Sequence, residues 1–436
     1  MKRKLLKPAL RALLLVAIYL PFLAATTGER DAGTVPEFPG RINAFAFDLL
    51  KYEAGAGGAR GGGMLVSPLS IFSGLAMSYV ASGGETRRGL AQALHFPADN
   101  VALERDLADL RGKLAGDGAR GGVELHLADA VWLDTTRAEF RQDYLREAMR
   151  LGAGPARGVK FAEAKSAAGE INAWTSAATN GRIPAVLQPG DIASRSRPGP
   201  DVIDEPGLVA VDAAWFKAEW THRFDRDGTA QRMFYITPGA AGREVAMMHQ
   251  SALFLYSEDA RFQFLEMPYL GGRFSMMVLL PRENSGVEAA MTGLTPETVM
   301  DLKRRAAPQY ADVLFPKFTI RSSADMKPAL SAMGAGAAFD SRHADFDAMI
   351  VKKPEAYRVY LAGVHHDAWM ETGEEGTEAA AATVSVHYTI GCSAQEPPRH
   401  VEFHADHPFL FFIVHNPSRC VVFAGWIANP AGAGDE

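Results

Sequence analysis

The chain has little cysteine: only Cys392 and Cys420 occur in 436 residues. So low a count excludes a disulfide-rich scaffold and predicts a fold held by its hydrophobic core, and the sequence leaves open whether the two cysteines pair. Strong charge of either sign is also missing, since the formal net charge of −6 gives no indication of nucleic-acid binding. With 47% hydrophobic and 22% charged residues, the composition is that of an ordinary globular protein.

Several motifs that carry chemistry are absent. No Gly-x-Ser-x-Gly elbow of a hydrolase occurs, so we do not expect an enzyme. The glycine-rich segment 55–63 lacks the Gly-Lys-Ser/Thr ending of a phosphate-binding loop. Segments 365–367 and 404–407 contain histidines and aspartates but not the helical His spacing of a hydrolytic zinc site. We therefore predict no catalytic residues, no metal and no cofactor.

The first 25 residues have the layout of a secretory signal peptide. Five basic residues lead into the short apolar run 13–25, which ends in small residues. This run is shorter than the roughly 20 residues of a membrane-spanning helix, although an uncleaved anchor is the alternative. We predict a signal peptide over 1–25, a polar spacer over 26–40, a secreted or periplasmic (extracellular) protein, and no membrane attachment after processing.

The remaining sequence changes from helical to strand-like patterns. A helical apolar stripe begins at Arg41, and Ser67 with Pro68 has the form of a helix start. The apolar run 208–216, interrupted only by Asp212, predicts a buried central strand, and strand-like runs dominate after residue 262. The prediction is an α+β fold in a single domain over 41–430, followed by a short tail, 431–436.

The most informative segment is 374–383, Glu-Glu-Gly-Thr-Glu-Ala-Ala-Ala-Ala-Thr. Its alanines favour helix, whereas the next residues, 384–390, alternate and are rich in β-branched side chains, which favours strand. Conflicting local preferences mark a segment that can change conformation. Its side chains are also small, as a strand needs if it is to enter a close-packed sheet.

Eight motifs, in order, resemble those of the serpin family. They are Asn43-Ala44-Phe45-Ala46; Ser67-Pro68-Leu69-Ser70-Ile71; Gly83-Gly84-Glu85-Thr86; Asn172-Ala173-Trp174 with Thr179-Asn180-Gly181; Ala214-Trp215-Phe216-Lys217 with Trp220; Phe315-Pro316-Lys317-Phe318; segment 374–383; and Asp406-His407-Pro408-Phe409-Leu410-Phe411 with Gly425 and Asn429-Pro430. The resemblance implies three β-sheets, about nine helices and an exposed reactive-centre loop. It also implies a suicide-substrate inhibitor of serine proteases, acting as a monomer. The richness in Ala, Gly and Arg indicates, in addition, a bacterial origin.

By the same resemblance, the hinge of the loop comprises Glu374, Glu375, Gly376, Thr377, Glu378, Ala379, Ala380, Ala381, Ala382 and Thr383. Inserted as a strand, Thr377, Ala379, Ala381 and Thr383 would face the core and Glu378 would face outward, so that no charge is stranded. The alternative is a non-inhibitory member that acts as a binding protein or chaperone. Ala218, Gly373 and a long loop, which depart from the usual family pattern, leave room for it.

The family's usual spacing places the reactive bond between Ile390 and Gly391. Counting back from Val401 instead gives a position near Ala394, so the bond stays open within 388–394. No Lys or Arg occurs in the loop before Arg399, which argues against a trypsin-like target. Ile390 suits an elastase- or subtilisin-like serine protease, and Tyr388 a chymotrypsin-like one. Cys392 is either a reactive thiol or an incidental small residue.

In the family, a polar cluster beneath the central sheet, called the shutter, controls its opening. The matching residues are Ser67, Ser70, Asp212 and His366, and asparagine is usual where this chain has Asp212. A buried aspartate needs a partner or a proton. We hypothesise an ion pair between Asp212 and His366 that makes opening sensitive to pH. The alternative is a partly solvated aspartate without that role.

Overall fold

The computed structural model describes residues 37–56, 62–151, 154–193, 205–237, 239, 241–355, 357–377 and 400–432. They contain ten α-helices: α1 (Glu37–Gly55), α2 (Pro68–Tyr79), α3 (Gly84–Leu94), α4 (Asn100–Gly121), α5 (Gln142–Arg150), α6 (Ala164–Ala178), α7 (Pro189–Ile192), α8 (Val287–Met291), α9 (Pro296–Arg305) and α10 (Lys327–Leu330).

The strands of the described residues are β1 (Gly63–Val66), β2 (Glu124–Asp134), β3 (Glu139–Phe140), β4 (Ala156–Val159), β5 (Leu208–Glu219), β6 (Asp225–Phe234), β7 (Arg243–Glu258), β8 (Phe262–Pro268), β9 (Phe274–Pro281), β10 (Ala307–Pro316), β11 (Phe318–Asp325), β12 (Ile350–Lys352), β13 (Leu361–Gly373), β14 (Gly376–Thr377), β15 (His400–His404), β16 (Phe409–His415) and β17 (Cys420–Ile427).

These strands form three sheets. The central sheet has six strands in the order β11-β13-β14-β5-β2-β4. A nine-stranded sheet runs β1-β17-β16-β9-β8-β7-β10-β15, with β6 also paired to β7, and β3 with β12 makes a small third sheet. The predicted α+β fold with three sheets is confirmed.

The central sheet is covered on both faces. On β5, Ala210, Ala214 and Phe216 point into the large core that also contains α2. The alternate residues Val209 and Val211 point into a separate cluster with α6. This burial on both faces explains why β5 reads as a nearly continuous apolar run. Asp212 therefore lies on the α2 side, between the sheet and that helix.

The first helix begins earlier than the sequence pattern indicates. The predicted start at Arg41 is wrong, because α1 begins at Glu37 and includes Pro39 in its first turn, where a proline costs no hydrogen bond. The ring of Phe38 meets that of Phe72 edge to face at 5.7 Å, which fixes this extra turn. Across the described ranges, no helix is both long and apolar enough to span a membrane.

Candidate functional site

The two-residue strand β14 lies between two longer strands of the central sheet. From Leu208 and Leu361 as far as Trp215 and Trp369, β5 and β13 pair directly and in parallel. Beyond that pair, β14 separates them. Thr377 is antiparallel to Thr372 of β13 on one side and to Ala218 of β5 on the other. Gly376 and Thr377 of the predicted hinge thus already form a strand of the sheet rather than a helix.

Gly376 is the position where only glycine fits. Its φ is +157°, and an added Cβ would lie 2.1 Å from the carbonyl oxygen of Ala218. A side chain here would collide with the backbone of β5. By contrast, an added Cβ at Gly373 would meet only Lys317 Cε, at 3.9 Å. The chain therefore enters the sheet at Gly376 through a contact that no other residue allows.

Thr377 is completely buried and faces the core. Its Oγ1 lies 2.8 Å from Oη of Tyr269, and the ring of Tyr269 stacks on Trp220 at 4.5 Å. Trp220 in turn donates its indole N–H to the carbonyl of Gly373 at 3.0 Å. Small size and a hydroxyl with a partner are the two properties that admit Thr377 to this site.

Glu374 is held by an ion pair at the top of the sheet. Lys317 Nζ lies 2.9 Å from Oε2 of Glu374, and Thr229 donates its hydroxyl to Oε1 at 2.8 Å. Burial alone would raise the pKa of Glu374, but the hydrogen bonds from Lys317 and Thr229 overcome it and hold the pKa below its usual value. Glu374 is therefore ionised at neutral pH and ties the hinge to β6 and to the link between β10 and β11.

Glu375 makes a second tie. Nη1 of Arg223 lies 2.8 Å from one carboxylate oxygen, and Nη2 of Arg226 lies 3.0 Å from the other. The backbone carbonyls take part as well, since Trp220 and Phe224 donate their N–H groups to Glu375 and Glu374. Both glutamates thus belong to a tight turn that anchors β14. Glu378, Ala379, Ala380, Ala381, Ala382 and Thr383 of the predicted hinge, with Ile390, Gly391 and Cys392, lie outside the described residues.

The four predicted shutter residues are brought together below the middle of the sheet. Ser67 caps α2: its Oγ accepts from the N–H of Ser70 at 3.3 Å and donates to Val422 O at 2.9 Å. The backbone N–H of Ser67 donates to Nε2 of His366 at 3.0 Å. This cluster therefore joins the start of α2 to β13 and β17.

The hypothesised ion pair between Asp212 and His366 is wrong. His366 is neutral, because its Nε2 accepts a hydrogen bond and burial lowers its pKa to about 3. Neither oxygen of Asp212 has a hydrogen-bond partner within the described part of the chain. The solvated alternative is wrong as well, since Asp212 has no exposed surface. The two residues are neighbours in the ladder but make no bond.

Asp212 instead faces a second buried carboxyl group, that of Asp129 on β2. Asp129 accepts a hydrogen bond from Ser70 Oγ, and its Oδ2 lies 2.6 Å from Nη1 of Arg111. Burial raises the pKa of Asp129, with Arg111 and Ser70 opposing it. Burial and then the nearby charge of Asp129 raise the pKa of Asp212 well above its ordinary value. The arrangement places the negative charge on Asp129 and a proton on Asp212.

The space for Asp212 comes from a glycine of α2. A Cβ at Gly74 would lie 2.0 Å from Oδ1 of Asp212. Sequence reasoning missed Asp129 and Arg111, although Asp129, like Asp212, is a lone acid inside an apolar strand pattern. That shared signal could have identified Asp129. Nothing local marks Arg111, which comes from α4.

Comparison with known proteins identifies the family. The family described as Serpin (serine protease inhibitor) matches residues 41–430. The chain belongs to the serpin family. It is 31% identical to human Serpin B8 over 391 residues, which cover 88% of this chain and 97% of that protein. It is also 31% identical to mouse Leukocyte elastase inhibitor A over 379 residues, 85% of this chain and 93% of that one.

A solved structure supports the same assignment. Serpin48 from the insect Tenebrio molitor matches with a TM-score of 0.74 and 25% identity, covering 91% of this chain and 99% of that one. This serpin therefore has protease inhibitors among its relatives, and the family inhibits proteases rather than catalysing a reaction. The strand β14 and the cluster around Ser67 lie where the resemblance predicts the hinge and the shutter.

Proposed function

We propose that this serpin inhibits serine proteases as a suicide substrate, by adding its cleaved loop to the central sheet between β13 and β5. One observation carries the proposal: β14 already lies between these strands and pairs with both. The residues that would follow Thr377 into the sheet on the core-facing side are Ala379, Ala381 and Thr383, which are small and uncharged. Insertion can therefore continue without burying an unpaired charge.

The chemistry begins with the protease, not with the serpin. The serine hydroxyl of the protease attacks the carbonyl carbon at the reactive bond, the bond to the following nitrogen breaks, and that nitrogen leaves as an amine that takes up the hydroxyl proton. The protease remains attached to the new carboxyl end through an ester. If the loop enters the sheet before water hydrolyses this ester, the protease is carried along and held. The serpin supplies the bait and the strand position.

The target we propose is an elastase-, subtilisin- or chymotrypsin-like serine protease. The segment 388–394 offers Tyr388, Ile390 and small residues as specificity residues, and no Lys or Arg precedes Arg399 in the loop. One relative, mouse Leukocyte elastase inhibitor A, supports this class by its name. We place the reactive bond between Ile390 and Gly391.

The test is to mix the full chain with elastase, subtilisin, chymotrypsin and, as a control, trypsin. We expect a complex that survives boiling in detergent with at least one of the first three. Mass spectrometry of the released carboxyl-terminal peptide then identifies the bond, and cleavage at Ile390 gives a peptide that begins with Gly391. A chain that each protease cleaves without a stable complex contradicts the proposed inhibition.

The non-inhibitory alternative predicts a different thermal result. A loop that inserts adds a strand to the sheet, so the cleaved chain is expected to melt well above the intact one. A binding protein or chaperone whose loop stays outside would show no such rise. The melting temperatures of intact and cleaved chain, compared by calorimetry, therefore separate the two functions even before a physiological target is known.

We further propose that the protein is exported and acts as a secreted or periplasmic monomer. The basic lead and the apolar run 13–25 support the export. Mass spectrometry of the amino terminus in the extracellular or periplasmic fraction tests it. We expect the mature chain to begin shortly after Ala25, and an intact Met1 in a membrane fraction contradicts processing.

A further inference from the structure

Arg182 is held over the central sheet by a rigid turn after α6. The turn contains Asn180 and Gly181 with φ of 51° and 78°. Thr179 Oγ1 donates to Thr175 O at 2.8 Å and accepts from the N–H of Ile183 at 3.2 Å. The side chain of Ile183 is buried against the sheet. The backbone on both sides of Arg182 is therefore fixed by contacts that do not involve its own side chain.

The guanidinium of Arg182 lies over two tryptophans at once. Its carbon is 5.0 Å from the ring centroid of Trp369 and 5.9 Å from that of Trp215. Trp215 belongs to β5 and Trp369 to β13, and the two are Cα partners in the parallel ladder. On its other side, Trp215 stacks on His126 of β2, at 4.4 Å and 6° between the planes.

This pair of tryptophans is the last one before β14 separates the strands. Three residues further along both strands, Thr372 and Ala218 already have Thr377 between them. By this antiparallel register, Glu378 and Ala379 would oppose the two residue pairs in between, and insertion of Ala380 must part Trp215 from Trp369. Neighbouring strands lie about 4.8 Å apart, so a strand between them increases the separation to about 9.6 Å. One guanidinium cannot then cover both rings.

We propose that Arg182 is a positioning residue, a cation–π clamp across the β5–β13 seam that sets the barrier to loop insertion. The inference rests on the proposed insertion mechanism for its role in inhibition, but the clamp itself is a property of the intact sheet. A cation over an aromatic ring at a largely exposed site stabilises by roughly 0.5–1 kcal/mol, and more with less water. Losing it is expected to accelerate opening of the seam about 2- to 10-fold.

The chain supplies a matched control. Arg157 on β4 also lies over a tryptophan of the same sheet, Trp132 on β2, at 6.0 Å. Residues 157 and 132 are partners in the β2–β4 ladder, which need not separate for insertion. Arg157→Gln therefore removes the same kind of contact away from the seam. Arg182→Lys keeps the charge but lacks the planar guanidinium, and is expected to lie between wild type and Arg182→Gln.

Hydrogen exchange of the intact full-length chain, followed by mass spectrometry, measures how readily β5 and β13 separate, and it requires no protease. We expect Arg182→Gln to raise exchange about 2- to 10-fold in the peptides that contain Trp215 and Trp369. Arg157→Gln should leave those peptides unchanged. Equal exchange in Arg182→Gln and wild type, or an equal rise in Arg157→Gln, overturns the clamp.

Uptake of a labelled synthetic peptide with the sequence of residues 377–390 adds the link to insertion. Arg182→Gln is expected to take up this peptide faster than wild type, and Arg157→Gln at the wild-type rate. If no variant takes it up and the cleaved chain is not stabilised, the insertion mechanism is wrong, while the exchange data still decide the clamp. If all variants take it up at one rate, the mechanism stands and the role of Arg182 in it is wrong.

Discussion

Asp129 and Asp212 face each other across β2 and β5 with no exposed surface, and the described residues provide a cation and a hydroxyl only to Asp129. Ionising two adjacent carboxyl groups that are both buried away from water carries a large cost in free energy. Arg111 balances the charge on Asp129, so the state with a proton on Asp212 has the lowest free energy. The resemblance to serpins predicts asparagine at position 212, and the aspartic acid found there, unlike asparagine, changes its charge with pH.

Replacement of Asp212 by asparagine is expected to change how stability depends on pH. The raised pKa of Asp212 means that the unfolded state loses its proton first as pH rises through about 3.8. Wild-type stability is therefore lost as pH rises above that value, until the folded state also ionises. We expect the advantage of Asp212→Asn over wild type to grow by about 1–3 kcal/mol between pH 4 and neutrality. Denaturant unfolding at several pH values measures it.

Two comparisons make that result specific. Burial lowers the pKa of His366 to about 3, so this residue destabilises the fold as pH falls below about 6.5. Wild type and Asp212→Asn share this trend, and it cancels in the difference between their stabilities. Asp129→Asn instead leaves Arg111 without its carboxylate and is expected to destabilise by about 2–4 kcal/mol. A difference between Asp212→Asn and wild type that does not vary with pH would rule out the proton on Asp212.

Thr377→Arg is expected to convert an inhibitor into a substrate. The site of Thr377 is fully buried and closed by Tyr269, so a guanidinium there would lie in the core without a partner. The loop would be cleaved but would insert too slowly to trap the protease. Gel electrophoresis in detergent should show cleaved serpin and no complex.

Thr377→Val serves as the control, because it keeps the size and lack of charge and removes only the hydroxyl contact. We expect it to retain most of the complex formation, with a small loss of stability of about 1 kcal/mol. A covalent complex formed as well by Thr377→Arg as by wild type would mean that β14 does not lead insertion.

Reversing the charge of Glu374 should loosen the top of the sheet. Glu374→Lys would place two ammonium groups where Lys317 now pairs at 2.9 Å, at a carboxylate with 12% of its side chain exposed. We expect a loss of about 2–4 kcal/mol in the free energy of unfolding. The double variant with Lys317→Glu restores an ion pair of opposite orientation, and should recover part of that loss in a double-mutant cycle. Strictly additive effects would show that the pair does not hold the hinge.

Gly376→Ala is expected to expel β14 from the sheet. Its Cβ would collide with the carbonyl of Ala218, whereas Gly373→Ala meets only a flexible lysine tip. We expect the first change to destabilise by about 1–3 kcal/mol and the second by less than about 0.5 kcal/mol. Hydrogen exchange at residues 372–377 checks whether β14 has left, and similar protection in both variants would argue against the steric account.

The fold was predictable from patterns that are local or periodic. The apolar run around Asp212 indicated the buried strand β5, and Ser67 with Pro68 indicated the start of α2. The sequence marks Asp129 as a second acid in an apolar strand, but not its pairing with Asp212, because the register between two strands far apart in the chain decides that pairing. The start of α1 was missed since a proline near it looked like the end of a spacer. Comparison with a family pattern suggested His366 as a partner of Asp212, but Nε2 of His366 already accepts a hydrogen bond from the N–H of Ser67.

The direction of β14 has a further consequence. Strands β13 and β5 run parallel to each other, and β14 runs antiparallel to both. From the level of Trp215 and Trp369 inward, each inserted residue replaces one parallel pairing with two antiparallel ones, and antiparallel pairing is slightly more stable per residue. Under the proposed mechanism, the added pairing favours the inserted state once the barrier at Trp215 and Trp369 has been passed, and nothing resets the sheet. Each molecule can then act once, so the protection it provides depends on how much is made, not on how fast it works.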